Sequence, residues 1–348
     1  MTRDSLPDSI SSQDELDELL SRPMPQLVRT ISDFKSPLVI IGAGGKVGPT
    51  LAVMAKRAAQ AAGCPLEVIA VSRFNSTAPA RAWLEERGVK TVTCDLLGPA
   101  PLTRLPDSQN VIYLVGQKFG TSKDPAATWA VNTIAPARVA ERYSNARLVA
   151  LSTGNVYPLS PVAQQGSLEE DALTPVGEYA NSTVGRERVL EYYAQRNKTP
   201  LAVLRLCYAV ELRYGVLLDI AEKVNGGEMI ELHNGHFNCI WQGDANDMIL
   251  RSLTLADCPC TVWNLCRPEV YSVREVAIQF GDLLGKRPNF FGTEGTSALL
   301  CNARRICGKL GEPPTALAPI LRWIADWVRL GGRTLGKPTG FEVHDGKY

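Results

Sequence analysis

From Pro37 onward, short apolar runs alternate with longer stretches of helical periodicity. Such runs lie at 38–41, 66–71, 91–94, 111–115, 148–151 and 201–206, and all but 91–94 are dominated by aliphatic side chains, as expected of strands buried on both faces. Helical patterns at 49–62 and 126–143 lie between them. Such alternation predicts an α/β fold with a doubly wound parallel sheet covered by helices on both sides. Ahead of it, residues 1–36 form a polar extension. There Ser12 and Glu15 read as a capping box opening a short helix, Gln13–Leu20, and Pro23 and Pro25 then break the chain. Beyond residue 207 the pattern loosens, with helices expected at 217–224, Val273–Leu284 and 316–330. The tail 331–348, rich in glycine and charge, carries no predicted element. There is no internal repeat and no low-complexity tract.

The first strand runs into Gly42-Ala43-Gly44-Gly45-Lys46-Val47-Gly48 and then a helix. A first glycine permits a tight turn, a second lets the backbone approach a pyrophosphate, and a third lets helix and strand pack closely. The helix N-terminus supplies free N–H groups and a positive dipole. The motif has the strand–turn–helix context it requires, so Gly42, Gly45, Lys46, Val47 and Gly48 are predicted to hold a dinucleotide. The second strand ends Val71-Ser72-Arg73, where an NAD-binding domain usually places an acid for the ribose 2′-OH. A hydroxyl and a guanidinium instead match a 2′-phosphate, and Lys46 adds a further positive charge. NADP is therefore expected over NAD. The chain divides into the extension 1–36, a Rossmann-type domain 37–206, a smaller mixed substrate-binding region 207–330 interleaved with late elements of the sheet, and the tail 331–348.

Composition narrows the partners. A formal net charge of +1 gives no long-range attraction to nucleic acid or acidic membrane, and no apolar run reaches membrane-spanning length. The polar start is not that of a secretory signal, so the cytoplasm is the expected location. The nine cysteines are scattered, several inside apolar runs, as suits buried free thiols. Cys258-Pro-Cys260 is too closely spaced for a zinc knuckle, and His233, His236 and His344 form no metal motif. No metal is predicted. A homodimer is left open.

Further motifs resemble the extended short-chain dehydrogenase/reductase family, the NAD-dependent epimerase/dehydratase group, across about residues 37–330. Gly42, Gly45 and Gly48 match its glycine spacing. Asp95-Leu96 resembles the pair that borders the adenine. The segment from Val111 through Val115 and Gly116 to Lys118 is similar to the family's fourth-strand segment, and Asn132 matches an asparagine in the following helix. Leu151-Ser152-Thr153-Gly154-Asn155-Val156-Tyr157 resembles the fifth-strand motif, which places Thr153 at the catalytic Ser/Thr position. Asp244 and the Ser272–Glu275 segment follow the C-terminal pattern.

The resemblance implies a catalytic tyrosine followed four residues later by lysine, so that both face the cofactor. Tyr179 is in register, but Thr183 stands where lysine belongs. Threonine can hydrogen-bond a ribose but gives a phenolate no Coulombic support. Lys118 and Arg186 are the candidates to supply the missing charge, Arg186 alternatively pairing with Glu187 or Glu191 on the helix surface. The arginines that grip a nucleotide diphosphate in the family are also missing: their positions fall at Phe237 and in Gly292–Ser297. Arg213 and Tyr214, with Asn155, Tyr208 and Trp241, are read instead as contacts to a small polar sugar, acidic or neutral. The expected activity is an NAD(P)-dependent oxidoreductase or epimerase working on a secondary hydroxyl or ketone, with Thr153, Tyr179 and Lys118 catalytic. The alternatives are a silent NADP-binding sensor or partner subunit, and a dehydratase or epimerase that retains its cofactor.

Overall fold

The computed structural model describes residues 6–74, 78–337, 339–342 and 346; His344 lies outside them. Seven strands form the central sheet: β1 (Leu38–Ile41), β2 (Val68–Ser72), β3 (Lys90–Thr93), β4 (Asn110–Tyr113), β5 (Arg147–Thr153), β6 (Leu201–Leu206) and β7 (Thr261–Leu265). Their order is β7-β6-β5-β4-β1-β2-β3, every pair parallel. The chain winds outward from β1 to β3, then crosses back to β4 on the other side of β1. Ile41 thus faces Val71 on one flank and Tyr113 on the other. Ligands of doubly wound sheets bind at the carboxyl ends of the strands at such a reversal.

Alternation along β1 sends Leu38 and Ile40 to one face and Val39 and Ile41 to the other. The first face packs on α2 (Pro25–Ile31), α3 (Gly48–Ala61) and α9 (Gln242–Arg251), through Leu27, Leu51 and Met248. The second packs on α6 (Ala135–Arg142) and α7 (Gly177–Asn197), through Val139 and Leu190. A third cluster lies outside the sheet. It joins α1 (Gln13–Leu20), α8 (Val216–Gly226), α10 (Val273–Leu284) and α12 (Leu317–Arg329), so the N-terminal extension is shared between the two regions, α1 on this cluster and α2 on the sheet.

Some elements depart from the sequence reading. Helix α2 follows the two prolines directly, because Pro25 occupies the first helical turn, where a missing N–H is no loss. Strand β7 and helix α9 emerge from the loosely patterned region; β7 pairs with β6 and completes the sheet. Strand β5 runs two residues further than expected and carries Thr153 to the edge of the cleft. The expectation of nine free thiols needs correction: a disulfide joins Cys207, just after β6, to Cys301, and seven cysteines remain free. The pair lies 94 residues apart in sequence, so no local pattern announces it. Among the described residues no helix is long and apolar enough to cross a membrane, and no cluster of His, Cys, Asp and Glu could hold a metal ion.

Candidate active site

The glycine loop sits at the sheet reversal and has two sides. Gly42 turns the chain with φ of +88°, and a Cβ there would come within 2.7 Å of the Val115 side chain. At Gly48 a Cβ would stand 2.5 Å from the Ala43 backbone, which is the close helix–strand packing expected of the third glycine. On one side, Gly42, Gly44 and Gly45 line a cavity of about 420 Å³. Its other walls include Ser72, Arg73, Asp95, Leu96, Val115 and Gly116. Six predicted cofactor residues from three strand ends therefore converge with the loop that follows the fourth. Asp95 holds its own turn by accepting from Leu97 N–H at 3.0 Å. Phe74, Cys94 and Leu97 are among the further lining residues that sequence reasoning missed. The fit to a dinucleotide is good: a glycine cradle, a helix N-terminus, and a cavity of ligand size.

On the loop's other side, Lys46 and Val47 line a second cavity of about 160 Å³ with Lys118, Thr153, Asn155, Tyr179, Tyr208 and Tyr214. All three predicted catalytic residues meet here. Thr153 sits at the end of β5 and donates to Asn155 Oδ1 at 3.0 Å, while its oxygen accepts from Asn155 N–H at 3.2 Å. Tyr179 stands in the first turn of α7. Tyr208 is held at φ of +38°, a backbone conformation uncommon for a residue with a side chain. The Lys118 ammonium donates to Thr339 O at 2.8 Å. Thr339 belongs to the tail, which the sequence left unassigned; it is anchored by its N–H to Asp219 at 2.8 Å, and Phe341 beyond it is buried.

Lys46 is placed differently from the sequence reading. It points away from Arg73, into the second cavity, where its ammonium donates to Ala209 O at 2.7 Å and lies 4.6 Å from the centre of the Tyr214 ring. Burial pulls its pKa down to about 8, an effect that attraction to Glu211 only partly offsets. Lys118 is likewise pulled down to about 8 by burial, with Asp219 opposing.

Besides Gly48, four predicted contacts lie off both cavities. Asn132 is fully buried in a π-helical turn between α5 (Pro125–Trp129) and α6, and its amide is spent on protein. Its Oδ1 accepts from Gln117 N–H at 3.1 Å and from Arg186 at 2.5 Å, and its Nδ2 donates to Ser182 at 2.8 Å. Thr183 is buried and donates to Tyr179 O at 2.8 Å, its own preceding turn. Arg213 is neutralised by Asp17 at 2.9 Å and Glu211 at 3.1 Å. Trp241 packs against Trp323, ring centres 5.3 Å apart, in the third core cluster. Arg186 does not pair with Glu187 or Glu191 on the surface. It is buried, donates to Leu151 O at 3.0 Å, and packs its guanidinium where a Gly116 Cβ would otherwise stand. Asp244 is structural, accepting two hydrogen bonds from Thr315, both at 2.9 Å.

The sequence profile of the NAD dependent epimerase/dehydratase family matches residues 38–223. No curated protein matches the chain. Among solved structures, the UDP-glucose 4-epimerase of Thermus thermophilus with NAD is similar at 19% identity and a TM-score of 0.67, covering 84% of this chain and 99% of that one. The UDP-glucuronic acid 4-epimerase of Bacillus cereus with UDP-glucuronic acid and NAD is similar at 16% identity, TM-score 0.69, and the same coverages. The dTDP-glucose 4,6-dehydratase of Streptomyces venezuelae, with NAD bound, shares 18% identity and a TM-score of 0.69 over 84% of this chain and 97% of that one. At these identities the likeness is one of fold.

The lowered Lys46 pKa has a consequence for stability. Between about pH 8 and 10.5 the unfolded chain holds more protons on this lysine than the folded chain does, so folding stability rises with pH across that window. Below it the folded state carries the full cost of the buried charge. Lys46→Met is therefore expected to raise the melting temperature at pH 7 by about 2 °C or more, a gain that fades above pH 10. Thermal unfolding of both proteins across that pH range is the check; a variant no more stable than wild type at pH 7 contradicts it.

Proposed function

This chain belongs to the NAD dependent epimerase/dehydratase family, and we propose that it is an NAD(P)-dependent oxidoreductase or epimerase acting on a secondary hydroxyl or ketone of a small sugar-like substrate. The observation that supports this most directly is the meeting of Thr153, Tyr179 and Lys118 on one cavity, back to back with the cofactor-sized cavity across the glycine loop. When bound, the nicotinamide would accept or return the hydride. Thr153 hydrogen-bonds the reacting oxygen, and the Tyr179 phenol takes or gives its proton. Lys118, on the same cavity, favours negative charge on that phenol, a role Thr183 cannot fill from its buried position. Gly42, Gly45 and Gly48, with Asp95, Leu96, Val115 and Gly116, hold the cofactor.

NADP is the favoured cofactor. Arg73 is exposed at the rim of the first cavity beside Ser72, with no acid at the end of β2 to receive a ribose hydroxyl. A non-nucleotide substrate is supported by three features. Phe237 is buried in the core. In the Gly292–Ser297 segment, Glu294 is bound by Arg274 at 2.7 Å. The second cavity, at about 160 Å³, is small beside sites for drug-sized ligands, which run to about 300–1,000 Å³. The uncharged Thr183 favours one alternative, a silent NADP-binding protein, which would bind cofactor and turn over no sugar.

Calorimetric titration should show NADP binding about tenfold or more tighter than NAD, since one charge-assisted contact to phosphate contributes about 1.5–3 kcal/mol. Arg73→Asp should reverse the order. Equal affinities, or tighter NAD binding, would refute the assignment. With cofactor present, UDP- and TDP-sugars should leave the melting temperature unchanged, because a ligand that binds only the folded state raises it. Strong stabilisation by either would return the protein to nucleotide-sugar chemistry.

A further inference from the structure

Among the described residues, the charged side chains lining the second cavity are two lysines, Lys46 and Lys118. The acids nearest to it are already committed. Glu211 accepts from Arg213 Nε at 3.1 Å and from Arg213 N–H at 3.0 Å, and Asp219 accepts from Thr339. Lys46 has no carboxylate within ion-pair distance among the described residues. A carbonyl takes one of its three donors, and an aromatic face lies beside it. A buried ammonium that Glu211 reaches only through space is costly to the fold, and a ligand anion in direct contact would relieve that cost. Arg213, the residue the sequence suggested for recognising an acidic sugar, is saturated by two carboxylates of its own protein and does not line the cavity.

We propose that Lys46 reads a carboxylate on the substrate, so that the enzyme takes a monosaccharide acid rather than a neutral sugar. This rests on the sugar-like reading above and narrows it. The ammonium shares the cavity with Thr153 and Tyr179, so a carboxylate held by Lys46 places the sugar ring between recognition and chemistry. One end of the molecule is fixed by charge, and a ring hydroxyl is presented to the phenol. The shape favours a carboxylate over a phosphate ester: the cavity is small, and no arginine lines it to form the bidentate grip that phosphate rewards. The other anion within reach of this loop is the cofactor's pyrophosphate, and the experiment separates the two.

The full-length protein, saturated with NADP, is titrated calorimetrically with glucuronate and galacturonate, and in parallel with glucose and galactose. Wild type, Lys46→Met and Lys46→Arg are compared, and each variant's NADP affinity is measured separately. The uronates should bind about tenfold or more tighter than the neutral sugars. Lys46→Met should erase that ratio with NADP affinity within about threefold of wild type, and Lys46→Arg should keep most of it. Loss of NADP affinity in Lys46→Met with the uronate preference intact would assign the lysine to the pyrophosphate and overturn the proposal. Equal binding of uronates and neutral sugars to wild type would overturn it while leaving the sugar reading in place. Binding of neither class would overturn both. If Lys46→Met does not fold, the wild-type ratio and Lys46→Arg still decide.

Discussion

Helix α3 approaches strand β1 so closely that Gly48 has no room for a side chain over the Ala43 backbone. The rest of the site depends on this contact. It pins the start of the helix against the end of the strand and leaves the intervening loop standing at the sheet reversal between β1 and β4. One side of the loop is bare glycine backbone, facing a cavity built from the ends of β1, β2, β3 and β4. The other side carries the Lys46 side chain into a cavity built from β5, β6, α7 and the tail. A single packing constraint thus sets two cavities on opposite sides of one turn.

What could be read from the sequence was mostly what is local. The runs at 38–41 and 201–206 are strands to the residue, and α1 begins where Ser12 accepts from Glu15 N–H. The glycine spacing correctly located the first cavity, because turn, helix start and close packing are all encoded within seven residues. The meeting of Thr153, Tyr179 and Lys118 on one cavity was legible through family motifs, each tied to a strand end or first helical turn. Features set by distant partners were not legible. Arg213 looked available until α1 folded back and placed Asp17 against it. Trp241 looked like a cleft aromatic until α12 brought Trp323 beside it. Thr339 and the Cys207–Cys301 pair depend on chain ends meeting the sheet from far along the sequence. Lys46 was read as facing Arg73 but lines the second cavity, since a sequence does not say which way a turn residue points.

With Thr183 one helical turn after Tyr179, the charge around the cleft comes from three basic residues. Lys118 and Lys46 border the second cavity, and Arg186 sits beneath Gly116, tied to Asn132 and Leu151. Behind them a buried Arg205–Glu187 pair, 2.8 Å apart, binds β6 to α7 and fixes the helix that carries Tyr179. Asn132 and Thr183, which the family pattern assigns to the cofactor, instead stitch this framework together. Helix position and charge position have separated, and the phenol's surroundings are rebuilt from the glycine loop and the segment after β4.

The central claim is that Tyr179 carries the proton for hydride transfer at the second cavity. The most direct measurement is the appearance of reduced cofactor, followed by its nicotinamide absorbance, when wild type and Tyr179→Phe are mixed with a turned-over sugar. The account predicts equal cofactor binding and a rate about 10²–10⁴-fold lower in the variant. A Tyr179→Phe protein that reduces the cofactor as fast as wild type would contradict it.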